Sequence, residues 1–179
     1  MLSLELFSRF GFTGALRWLH VLFGITWIGL LYYFNFVQVP ALATATADKG
    51  GPGGAGITKY VAPLALLWFR MAAGVTWLMG LLYLWRSGNI AAVWLGLGGE
   101  TVNSYQLIIG VGAWLGTIML FNVWVLIWPN QKKILGIVSA TDEEKAKARN
   151  VAFLASRTNT LLSIPMIMCM LGASHGLPL

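Results

Sequence analysis

Charge is what this chain has least of. Charged residues fill 10% of its 179 positions, where a soluble domain carries roughly 25%. With 58% hydrophobic residues and a mean hydropathy of +0.73, that scarcity excludes a soluble globular domain. Acids are rarer still, six against twelve Lys and Arg, and none stands inside a long apolar run. A transporter would lack an acidic coupling residue here. One cysteine, Cys169, excludes an internal disulfide. No CxxC, phosphate loop, dinucleotide fingerprint or nucleophile–base pair is present, and the glycine run at 50–56 lacks the Lys-Ser/Thr of a phosphate loop. The net charge of +6 does not point to nucleic acid, because the basic residues cluster in connections rather than on one soluble face.

What is present is apolar length. About 20 residues at a rise of about 1.5 Å cross a bilayer, and four stretches suffice, at about 16–39, 61–85, 106–128 and 153–174. The expectation is one all-α transmembrane domain over 1–179, a four-helix bundle in the lipid membrane. The first stretch is too long for the apolar core of a cleaved signal. Pro40 and Pro129 are expected to end the first and third spans, and Pro63 to sit in the first turn of the second. Residues 1–13 read as an interfacial lead, 41–60 as a flexible loop and 86–105 as an interfacial connection. Thr141 and Glu144 have capping-box spacing, so a helix begins there and runs on into the fourth span, with a kink near Pro165. Gly112 and Gly116 form a GxxxG pair suited to close helix approach.

Lys and Arg set orientation. Lys49, Lys59, Lys132, Lys133, Lys145, Lys147 and Arg149 lie in the loops after spans one and three, against Arg9, Arg17 and Arg86 on the other side. Both termini are therefore expected outside, on the periplasmic side of a bacterial inner membrane.

Depth then separates two polar layers. The only two histidines, His20 and His175, fall at the outer end of spans one and four. Gly24 and Gly172 share their helical faces, leaving room for a flat ring. Two imidazoles facing across a bundle are a way to hold haem b, with Arg17 placed to meet a propionate. One-histidine haem, and histidines that merely bond backbone carbonyls, are the other readings of the same residues. Toward the cytoplasm lie Asn35, Arg70, Asn122, Arg157 and Asn159. With no acid in any span, a buried guanidinium there calls for a polar or anionic partner, or it snorkels.

Four stretches carry a resemblance: RWLHVLFGITWIGLLYYF; KYVAP with WFR and TWLMG; GAWLGTIMLFNVWVLIWPNQKK; and SRTNTLLSIPMIM with SHG. In order, they resemble the membrane domain of the bacterial urate hydroxylase family, the urate oxidase N-terminal domain. The resemblance implies a short form, because long members add further spans and a cytochrome c domain. It also implies functional weight at His20, His175, Arg70, Arg157 and Asn159. Where long members have histidines and a glutamate around the second span's WF motif, this chain has Ala65, Leu67 and Ala72. Thr158 stands where histidine is frequent. The leading expectation is an electron-transfer protein with haem b, a subunit of a larger respiratory or oxidase assembly or a homo-oligomer, working with a separate cytochrome c or quinone. The alternatives are an oxidoreductase that oxidises urate or a similar small anion at the arginine layer, and a cofactor-free accessory subunit.

Overall fold

The computed structural model describes residues 9–95 and 104–176. The lead at 1–8 and the run 96–103 of the second connection lie outside the described residues. Four long helices, each apolar enough to cross a membrane, build the molecule. Helix α1 runs Arg9–Tyr32, widens into a π-helical turn at Tyr33–Gln38 and continues as Val39–Ala47. Helix α2 opens with a π-helical turn, Ile57–Val61, and continues as Ala62–Arg86; a short α3, Ile90–Leu95, follows. Helix α4 is Ser104–Phe121, a π-helical turn at Asn122–Ile127, then Trp128–Ile134, and α5 is Asp142–His175.

The prolines do not stop helices as expected. Pro40 and Pro129 are passed, while Pro63 stands in the first turn of the α-helical stretch Ala62–Arg86, as expected, with a π-helical turn before it. The reason is local and the same in all three. Proline has no N–H, and its ring collides with the carbonyl four residues back. In each helix the turn before it is widened, so Val39 N–H reaches Phe34 O, Ala62 N–H reaches Ile57 O and Trp128 N–H reaches Val123 O. Each bond spans five residues, and each wide turn ends two residues before its proline. The helices consequently outrun the apolar stretches at both ends. Residues 9–13 are the start of α1 rather than a separate turn, and the 41–60 loop shrinks because 41–47 and 57–60 are helical. Helix α5 passes through Pro165 unbroken, and its Thr141 capping box forms: Glu144 N–H donates to Thr141 Oγ1 while Thr141 N–H donates to the Glu144 carboxylate.

Helix α1 packs chiefly on α2, and α4 chiefly on α5. The two antiparallel pairs meet over a core of Trp27, Leu31, Phe69, Ala73, Met119 and Val123. Polar side chains tie α1 to α5 across the two pairs, and α4 to α5 within one, inside this apolar setting. Tyr32 OH and Ser163 Oγ are 2.9 Å apart, Asn35 Nδ2 donates to Ser156 Oγ at 2.8 Å, Asn122 Nδ2 donates to Asn159 Oδ1 at 2.8 Å, and Asn159 Nδ2 donates to Met119 O at 2.9 Å. Each such bond between membrane helices is worth about 0.6 kcal/mol on average. The outer surface is apolar, with Leu22, Ile25, Leu161 and Leu171 more than half exposed, as lipid contact requires.

Of the GxxxG pair, Gly112 is the contact residue: a Cβ there would stand 3.0 Å from Cys169 Cβ and 3.1 Å from Met170 Cε. Gly116 is buried but faces open space. Gly112→Ile should therefore separate α4 from α5 and cost roughly 1–3 kcal/mol in reversible detergent unfolding. Gly29→Ile, at a position with nothing within 4 Å, should leave the midpoint unchanged.

Candidate functional site

Arg17, His20 and His175 line one cavity of about 380 Å³ at the end of the bundle that carries the start of α1 and the end of α5. That volume lies in the range of small-molecule and cofactor sites, about 300–1,000 Å³. The interior is apolar and aromatic, with Trp27, Ala113, Gly116 and Met166 all buried. The mouth is polar: Arg17, Tyr83, Tyr105, Ser174 and His175 stand there. Arg17 has no ion pair among the described residues.

His20 is seated by α2. Its Nδ1 lies 2.8 Å from Thr76 O, and an acceptor carbonyl means that Nδ1 carries the proton and donates. The lone pair is then on Nε2. This close approach depends on Gly80, where a Cβ would sit 2.8 Å from His20 Nδ1 and 2.9 Å from Cε1. Gly24 faces α2 rather than the cavity: a Cβ there would make ordinary contact with the Thr76 methyl at 3.6 Å. On α5, His175 Nδ1 donates to Leu171 O at 3.1 Å, which again leaves Nε2 as the free nitrogen. Gly172 is buried on that helix. A histidine whose Nδ1–H is held by a backbone carbonyl is oriented as metal-ligating histidines are.

Among the described residues no cluster of three His, Cys, Asp or Glu exists. The site therefore cannot supply the three or four protein ligands of a structural or catalytic zinc. With two histidines in its lining and no cluster of three, the cavity offers a metal at most two imidazoles. Two buried indole N–H groups, those of Trp27 and Trp94, have no partner, and both residues line this cavity. A buried donor left unpaired costs about 1–3 kcal/mol, so these two N–H groups favour a guest that brings an acceptor.

Helix α3, in the connection expected at the interface, contributes Trp94 to the cavity wall. Val93 is buried, and its carbonyl would be 2.8 Å from a Cβ at Gly110. Trp94 sits edge-on between Trp77 (6.1 Å between centroids) and Trp114 (5.2 Å). Trp77 Nε1 donates to Thr117 Oγ1 at 2.9 Å, linking α2 to α4. The sequence gives no functional role to Gly80, Tyr83 or Tyr105, and it reads Trp94 only as part of an interfacial aromatic belt. The signal for Gly80 was present, since Thr76 and Gly80 are the two ends of the TWLMG string.

The other expected layer does not converge on one site. Asn35, Asn122 and Asn159 are buried and held by helix-to-helix hydrogen bonds. The Arg70 guanidinium stacks over the Trp128 ring, 3.6 Å from its centroid. Arg157 is exposed on the bundle's outer face, 5.0 Å from the Phe153 ring. Neither arginine lines the cavity of His20 and His175, or the larger one at the opposite end.

Residues 100–178 match the family model described as urate oxidase N-terminal. The match takes in α4, α5 and His175 and leaves out α1 with His20. Among curated proteins none matches the chain, and among solved structures none matches it either.

Gly80→Leu should drive the His20 ring off Thr76 O. Nitrogen-15 NMR of the imidazole then loses the hydrogen-bonded Nδ1–H signal of His20, while that of His175 stays. An unchanged His20 signal would mean that Gly80 does not seat the ring.

Proposed function

With residues 100–178 supporting the urate oxidase N-terminal family, we propose that this multi-pass membrane protein holds haem b and passes electrons within a larger redox assembly. Its termini and the histidine cavity face the periplasm of a bacterial inner membrane. The observation that carries the reading is that His20 and His175, from the first and last helices, line one cavity with Nδ1 bonded to a carbonyl and Nε2 free. The lysine bias of the loops supports the orientation.

In this role His20 and His175 would hold the haem iron, and Arg17 at the mouth would offer a guanidinium to a carboxylate. A bound haem b supplies a one-electron couple at this end of the membrane. The chain's own part is to orient two imidazoles, to exclude water with Trp27, Trp77 and Trp94, and to hold charge at the mouth. A separate cytochrome c or the quinone pool is the partner that such a site serves.

The family match favours a second reading, oxidation of urate or a similar small anion with electrons passed to a cytochrome c. Against it stands the separation of Arg70 from Arg157, one stacked on Trp128 and the other on the outer face. No pair of guanidiniums meets over a cavity to bind the anion, and Ala65, Leu67 and Ala72 offer no base to take its proton.

Protein purified from haem-replete cells and reduced with dithionite should show low-spin b-type bands at about one haem per chain, diminished or altered in His20→Ala. A colourless wild-type preparation would overturn the reading and favour an accessory subunit. Turnover of urate by the isolated chain with an artificial acceptor would favour the second.

A further inference from the structure

A larger cavity, about 670 Å³, opens at the opposite, lysine-rich end of the bundle, with α1, α2, α4 and α5 each forming part of its wall. The wall is largely apolar, from Phe34, Leu66, Phe69 and Ile127, and Phe34 meets Phe69 edge-on at 5.5 Å. Arg149 stands at the exposed rim. Every π-helical turn in the described chain contributes to this one cavity: Phe34, Asn35 and Gln38 from the first, Thr58 from the second, Ile127 from the third. Such turns recur at functional sites.

The wide turns also change which carbonyls the helix serves. Once Val39 N–H has taken Phe34 O and Ala62 N–H has taken Ile57 O, the carbonyls next in register are those of Asn35 and Thr58. The residues due to serve them are Pro40 and Pro63, which have no N–H. Gln38 adds a side-chain acceptor, for its Oε1 is buried with no partner. The Asn35 amide, by contrast, is already spent on Leu31 O and Ser156 Oγ. The cavity thus combines flat apolar walls with one side-chain acceptor in want of a donor, beside the amides of Gln131 and Asn150 and the Arg149 guanidinium.

We propose that this cavity binds the head of a quinol, an apolar aromatic ring carrying two hydroxyl donors, with Gln38 Oε1 accepting from one of them. At Gln38 Oε1 a quinone, which brings acceptors only, has no proton to give and loses this contact. The site deepens the electron-transfer reading by naming the class of its membrane partner. It rests on that reading for its use, while the binding itself is independent of haem.

The test is calorimetric titration of the full chain in lipid nanodiscs with a decyl-chain ubiquinol and with the matching ubiquinone. Ubiquinol should bind saturably, one per chain, and more tightly than ubiquinone. Gln38→Leu should weaken ubiquinol at least tenfold, and Gln38→Asn, which keeps the amide but withdraws it by one carbon, should weaken it less. Any b-type spectrum from the other end should be unchanged in both variants. No saturable ubiquinol binding, equal affinity in Gln38→Leu, or tighter binding of the quinone would overturn the proposal. Saturable quinol binding to a colourless protein would sustain this site while removing the haem reading, and the converse holds equally.

Discussion

In hydrocarbon, a buried polar group must find a partner inside the protein, and that constraint shapes this bundle more than any apolar contact. Lipid is as apolar as leucine, so burying leucine does little to bring membrane helices together. Helix α5 carries the answer on one face: Ser156, Asn159 and Ser163 meet Asn35 and Tyr32 of α1 and Asn122 of α4. The first helix is tied to the second by His20 on Thr76 O, and the second to the fourth by Trp77 on Thr117. These bonds place the first and last helices so that their histidines look into one space.

Because buried polar atoms are so consistently paired, the exceptions are informative. Three buried side-chain atoms in the described chain lack partners: the indole nitrogens of Trp27 and Trp94, and Gln38 Oε1. All three belong to residues lining one of the two large interior cavities. Donors stand unmet at the histidine end and an acceptor at the other. The two cavities therefore ask for different chemistry, and Trp27, Leu31 and Phe69 of the packed core lie between the two ends.

Much of this could be read from residues in a row. The four spans, the capping box at Thr141, and the common level of His20 and His175 follow from hydropathy, spacing and an even number of crossings. Arg17 was placed by being one turn outside His20. What could not be read was rotation about each helix axis. Arg70 and Arg157 share a depth, yet one turns toward Trp128 and the other outward, because which face is buried depends on neighbours that no linear spacing names. Prolines misled for a related reason. A helix in water gains from stopping at proline, whereas a bilayer-spanning helix must continue, and it widens one turn to do so. Gly80 and Trp94 matter only through partners on other elements, and a glycine's role in seating a ring is invisible until the ring is placed.

The central claim is that His20 and His175 reach one and the same group from opposite ends of the chain. Electron paramagnetic resonance of the oxidised protein tests it most directly, comparing wild type with His175→Ala. The account predicts a low-spin ferric signal in the wild type that turns high-spin when the second imidazole is removed. A low-spin signal that survives His175→Ala unchanged, or no ferric signal at stoichiometric level in the wild type, would contradict it.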